Sequence, residues 1–148
     1  MTVTNSFHNG FIVETGNAEL RSCSVTSCRL GRGMVFGGFG PREDGGPSVE
    51  ARLEDCIVAQ NDRGGFHALE GVSVAVTGCR SRDNGGVGFE VEHGGQMTVA
   101  HSSSDGDTAG CVAHSDGAGG GVLTMEEVTV DGAVQSGTLP VTYHALHT

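Results

Sequence analysis

Cys56 and Cys79 stand 23 residues apart, and Ser102, 23 further on, occupies the same local context. The pairs Gly65-Phe66 and Gly88-Phe89 keep the same interval. A repeat this short cannot enclose a hydrophobic core of its own. Its apolar face is hidden only when copies stack, each covering the next. That requirement removes most folds before any element is assigned.

Three full units lie over one another at residues 49–71, 72–95 and 96–119. An earlier unit, 17–36, follows the same template and then runs into an insertion at 37–48, which explains the 33 residues between Cys23 and Cys56. A later unit places Val128 in the cysteine slot. The opening segment resembles the second half of a unit, and residues 131–148 depart from the pattern. The whole chain, 1–148, reads as one domain.

The overlay produces columns. Three residues before the cysteine slot come Leu20, Leu53, Val76, Val99 and Met125. Two further back come Ala18, Ala51, Val74, Met97 and Leu123. Two after the slot come Val25, Val58, Ser81, Ser104 and Val130. About ten after it come Met34, Phe66, Phe89 and Val112, with Phe11 as the earlier counterpart. Apolar and polar columns alternate at period two, the mark of strands, and no sustained 3.6-residue period is present. Each unit is expected to be three short strands separated by Gly/Asn/Asp turns, with strands pairing to their equivalents roughly 4.8 Å away in the next coil. Asn61, Asn84 and Asp107 form a turn column, and their residue types tolerate left-handed backbone and can bond along the stack.

The frames Cys56-Asn61-Gly65-Phe66 and Cys79-Asn84-Gly88-Phe89 resemble the right-handed parallel β-helix superfamily. These are the pectate-lyase-like folds, and the short repeats called carbohydrate-binding and sugar-hydrolysis domains are the nearest in style. The resemblance covers roughly residues 17–130. It implies an all-β, right-handed parallel β-helix of five to six coils. It does not imply a reaction, since one fold hosts many functions. The catalytic segments of the pectin-active and alginate-active families are missing. There is no Lys, no His between two glycines and no Asp-Pro-His.

Composition narrows the partners. A formal charge of −10 with no basic stripe excludes nucleic acid and anionic membrane surfaces. No apolar run approaches a membrane span. The five cysteines, placed as a ladder, read as buried thiols and not as a disulfide framework. With no leader-like start, a cytoplasmic location is expected.

The candidate chemistry sits outside the columns. His67 follows Phe66, and its counterpart one coil on is Glu90, so stacking brings an imidazole beside a carboxylate. With His114 in the next coil, these three are the candidate catalytic residues for acid–base work of the lyase, isomerase, cyclase or glycan-active kind. His93 and His101 are nearby candidates for binding. Phe39, Arg42 and Glu43, in the glycine-flanked insertion, are the candidate partner-binding residues of a loop grafted on a rigid stack. The main expectation is a binding or assembly module. Its flat β face and 37–48 loop would contact a carbohydrate, a small molecule or a protein, including a second copy at the solenoid ends. The acidic turn around Asp105 and Asp107 lacks an oxygen donor at Ala109 and reads as turn residues, not as an ion site. No His or Cys spacing supports a metal, and no cofactor is expected.

Overall fold

The structure is a computed structural model. It describes residues 2–37, 43–44, 46–92, 94–113, 122–131, 134–135 and 141–146; side chains are described for these except 109–113, 131, 134–135 and 141–146. Among the described residues there is no helix, and the strands wind as a parallel solenoid of about five turns at about 23 residues per turn.

Each turn contributes to three faces. The first face stacks β3 (Gly16–Arg21), β6 (Val49–Glu54), β9 (Val72–Thr77), β12 (Gln96–Ala100) and the start of the long β15 (Val122–Asp131). The second stacks β1 (Thr2–Thr4), β4 (Ser24–Thr26), β7 (Ile57–Ala59), β10 (Arg80–Arg82), β13 (Ser103–Asp105) and the end of β15. Because β15 runs through the corner, these two faces join into one sheet of 11 strands, with β17 (Val141–Leu146) paired on β15. The third face is a separate six-stranded sheet of β2 (Phe11–Val13), β5 (Arg32–Phe36), β8 (Gly64–Ala68), β11 (Val87–Val91), β14 (Ala109–Ala113) and β16 (Val134–Gln135). The opening segment is the second part of a coil, as its sequence implies: β1 pairs with β4 and β2 with β5.

Like stacks on like. Ala18, Ala51, Val74, Met97 and Leu123 are register partners in turn, as are Leu20, Leu53, Val76, Val99 and Met125. Both columns point inward, and Leu53, Val99 and Leu123 are fully buried. On the third face Phe66 lies over Phe89 with ring centroids 5.2 Å apart and planes within 3°. Gly33 and Gly65, just before the inward large residues, leave room for the second face: a Cβ on Gly33 would meet Val58 at 2.8 Å, and one on Gly65 would strike Ser81 Oγ. That close approach explains why glycine precedes Met34 and Phe66.

Two expectations about detail are corrected. The backbone register partner of Phe89 is Cys111, and that of Glu90 is Val112. The turn after Asp107 is one residue shorter than those after Asn61 and Asn84, so the 23-residue count slips there. The left-handed backbone is found one residue earlier than expected, at Gln60, Asp83 and Gly106. This frees Asn61, Asn84 and Asp107 to turn inward, where all three are buried. Asn61 N and Nδ2 donate to Asn84 Oδ1 at 3.0 and 2.9 Å, and Asn84 N and Nδ2 donate to Asp107 Oδ1 at 2.9 and 2.7 Å. Cys28 holds the same slot one coil earlier, its N–H donating to Asn61 Oδ1 at 3.0 Å. Asp107 is therefore part of a buried ladder.

Cys23, Cys28, Cys56 and Cys79 are buried free thiols. Cys23, Cys56 and Cys79 line the corner between first and second faces. The Cys56 N–H donates to Cys79 Sγ at 3.4 Å, and the Cys79 N–H to Ser102 Oγ at 3.1 Å. The side-chain interaction with the Cys56 thiol, reinforced by burial, pushes the Cys79 thiol well above its ordinary range, and the Cys56 N–H bond opposes this.

Candidate functional site

Strands of a solenoid alternate inward and outward side chains, and the outward ones ordinarily face water. The third face breaks that rule. Phe66 and Phe89 point inward, and their neighbours His67 and Glu90 point outward, yet these are only 5% and 7% exposed. Val35, the register partner of His67 on β5, is 7% exposed. From β5 to β11 the outer side of this sheet is covered and carries charge, whereas Ile12, the next in the column on β2, is exposed.

His67 and Glu90 are direct register partners, as the 23-residue stacking requires. His67 Nε2 lies 3.8 Å from Glu90 Oε1 and 2.8 Å from Oε1 of Glu92. Glu92 follows β11 by one residue. It shares the parity of Glu90, so it returns to the same side. Arg32 opens β5 in register with Gly64 and brings Nε to 3.5 Å from Glu90 Oε1. Glycine at position 64 presents no side chain between them. One ligand atom from each of His67, Glu90 and Glu92 falls within 4.8 Å of the others.

The hydrogen bonding defines the imidazole. Glu92 can only accept, so Nε2 carries the proton and Nδ1 bears the lone pair. Nδ1 and Arg32 Nε are buried atoms without a hydrogen-bond partner among the described residues. Burial holds the His67 pKa below its ordinary value; Glu90 opposes this, Arg32 adds to it, and the Glu92 bond opposes it again. The ring is neutral at neutral pH. Chemically, the cluster can relay a proton between imidazole and carboxylate, or hold a small cation between the three donors.

Among the described residues, the other sequence candidates, His101 and Glu43, do not join it. His101 sits in left-handed backbone at the corner before β13, where Nδ1 pairs with Glu127 Oε2 at 2.8 Å in an exposed contact. That corner lies between the first and second faces. Glu43 is exposed in a turn. His114, Phe39, Arg42 and His93 lie outside the described residues. Glu92 and Arg32 were missed. The signal for Glu92 was its two-residue offset from Glu90; nothing in the repeat pointed to Arg32.

A second feature lies on the open outer side of the first face. There Asn17, Glu50, Ser73 and Gln96 form one outward column, and Glu19, Arg52, Ala75 and Thr98 the next. Ser73 and Ala75 are short between longer neighbours, so the surface dips. A hollow of about 510 Å³ covers Asn17, Glu19, Glu50, Arg52, Ser73 and Ala75. Two more, of about 370 and 440 Å³, adjoin it over Gly46, Pro47 and Ser48, and all three share Glu50. The end of the insertion thus borders this groove.

Coils stacked in parallel around a shared apolar interior define the class, a parallel β-solenoid. Within that class the chain belongs to the family described as right handed beta helix region, which matches residues 1–145. The handedness agrees with the sequence expectation, and the pectate-lyase-like superfamily is consistent with it. No curated protein and no solved structure matches the chain.

Proposed function

We propose that this solenoid is a binding module for a polar, hydroxyl-rich ligand of the carbohydrate type, laid along the outer side of the first face. The observation that carries this reading is the continuous hollow around Glu50, bordered by the end of the 37–48 insertion. Its lining offers hydroxyl, amide, carboxylate and guanidinium groups, which match hydroxyls by hydrogen bonding. Tryptophan is absent, so recognition rests on those bonds and not on Trp stacking. With two carboxylates beside one guanidinium, a neutral ligand is better accommodated than an anionic one.

The test is a titration of isotope-labelled protein with neutral oligosaccharides. Amide shifts should cluster at 17–19, 50–52 and 73–75 and vanish in a Glu50→Ala/Arg52→Ala variant. Shifts on the third face alone, or none at all, would overturn the assignment.

A second reading, association through the solenoid end, is favoured by one observation. Strands β1, β2 and β3 each pair on one side only among the described residues, beside the half-buried Val3, Phe11, Val13 and Leu20. Light scattering that finds only monomer at high concentration would remove it. Acid–base catalysis at His67 has weaker support, because the covered ring does not reach solvent where a substrate would arrive.

A further inference from the structure

The charged cluster on the third face is a different site from the first-face groove and answers to different chemistry. Its burial disfavours a sugar or a peptide but suits an ion, which can enter beside Glu92, the most open of the three residues at 34% side-chain exposure. We infer that His67, Glu90 and Glu92 form a binding site for one first-row divalent transition ion, such as zinc or manganese.

Geometry is the first support. Bonds of about 2.0–2.2 Å at angles between 90° and 109° place neighbouring ligand atoms roughly 3 Å apart. The Nε2 to Glu92 separation is 2.8 Å and the Nε2 to Glu90 separation is 3.8 Å, with all three atoms inside 4.8 Å. Shifts of about 1 Å at the glutamate ends would complete three ligands of a four- to six-coordinate site.

Donor chemistry is the second. One imidazole with two carboxylates suits zinc, manganese or ferrous iron, whereas calcium and magnesium favour oxygen-only sets. The ligands come from a rigid platform: His67 and Glu90 are backbone-paired on adjacent strands.

Incomplete bonding is the third. His67 is 5% exposed, yet among the described residues its ring makes one hydrogen bond and leaves Nδ1 without a partner. Arg32 Nε, at 3.5 Å, makes no hydrogen bond to Glu90 either. Buried polar atoms are ordinarily bonded; among the described residues these two nitrogens are not. Capture of the ion by Nε2 displaces its proton, which moves to Nδ1 or to solvent by way of Glu92.

The probes are Zn²⁺ and Mn²⁺ added separately to the full chain after chelator treatment, followed by calorimetry. One ion per chain is expected, with affinity lowered about tenfold or more by Glu92→Gln and unchanged by His101→Ala, which removes the exposed His101–Glu127 pair. Glu92 is partly exposed and the change is isosteric, so the fold survives it. Imidazole ¹⁵N spectra give a second readout: zinc should remove the Nε2–H signature of His67. The inference is overturned by the absence of saturable binding below about 1 mM, by equal affinity in Glu92→Gln, by loss of binding in His101→Ala, or by an Nε2–H that persists at saturating zinc. None of these outcomes bears on the first-face groove, whose own titration is independent.

Discussion

The first and third faces are built from the same repeat and turn out opposite on their outer sides. On β6 the side chains alternate between buried and exposed along most of the strand, whereas every residue of β8 is buried. Glu50 and Glu90 are both outward glutamates on equivalent stacks; one stands in water and the other is 7% exposed. The repeat decides where an outward residue stands. Whether it faces solvent depends on what lies over the sheet. A period read in the chain therefore predicts equivalence of the inner sides and says nothing about equivalence of the outer ones.

On their inner sides the two faces should behave alike. Phe89→Ala and Leu53→Ala should each cost about 3–5 kcal/mol in denaturant unfolding, since both side chains are fully buried. A cost below about 1 kcal/mol at either would mean that one face is not core.

On the outer sides the faces should diverge. Glu90→Ala strips Arg32 of its nearby carboxylate and should cost about 2 kcal/mol, less than a fully buried pair because Arg32 keeps some solvent. Equal effects of Glu90→Ala and Glu50→Ala would erase the distinction drawn between the faces.

Acid sharpens it further. His67 is held below its ordinary pKa, so the unfolded chain takes up the proton first. Its contribution is complete above about pH 6.5 and declines as the pH falls below that value. Among the described residues, the charged groups facing the ring are Glu90, Glu92 and Arg32. Wild type minus His67→Gln should therefore show stability lost between neutral and mildly acidic pH; a flat difference would mean the ring is solvated. The smallest effect is expected at Glu50→Ala, within about 0.5 kcal/mol, with loss of ligand shifts and no change in folding.

The stacked interior was legible because identical inward residues recur: Leu20, Leu53, Val76 and Val99 need no structure to be aligned. So was the pairing of His67 with Glu90, which follows from one period. The rest of the cluster was not. Arg32 reaches it from two strands away, past a glycine, and Glu92 lies beyond the strand end; neither relation is a property of the period. Nor does any local pattern say that an outward histidine will be covered. The Val112 misalignment had a local cause, a turn one residue shorter after Asp107 than after Asn84, which an overlay at constant spacing cannot register.

The row of buried amides has a polarity. At each step the later coil's side-chain oxygen receives from the earlier coil's backbone and, once the slot holds Asn, from its amide as well. Asn61 and Asn84 both take and give; Asp107, with no NH₂, only takes. Its other oxygen is already claimed by Ser104 Oγ at 2.6 Å. Among the described residues the relay thus runs one way and ends at Asp107, so a coil copied and inserted before Asp107 would extend it seamlessly, while the same coil grafted after Asp107 would meet a side chain with no NH₂ to hand on.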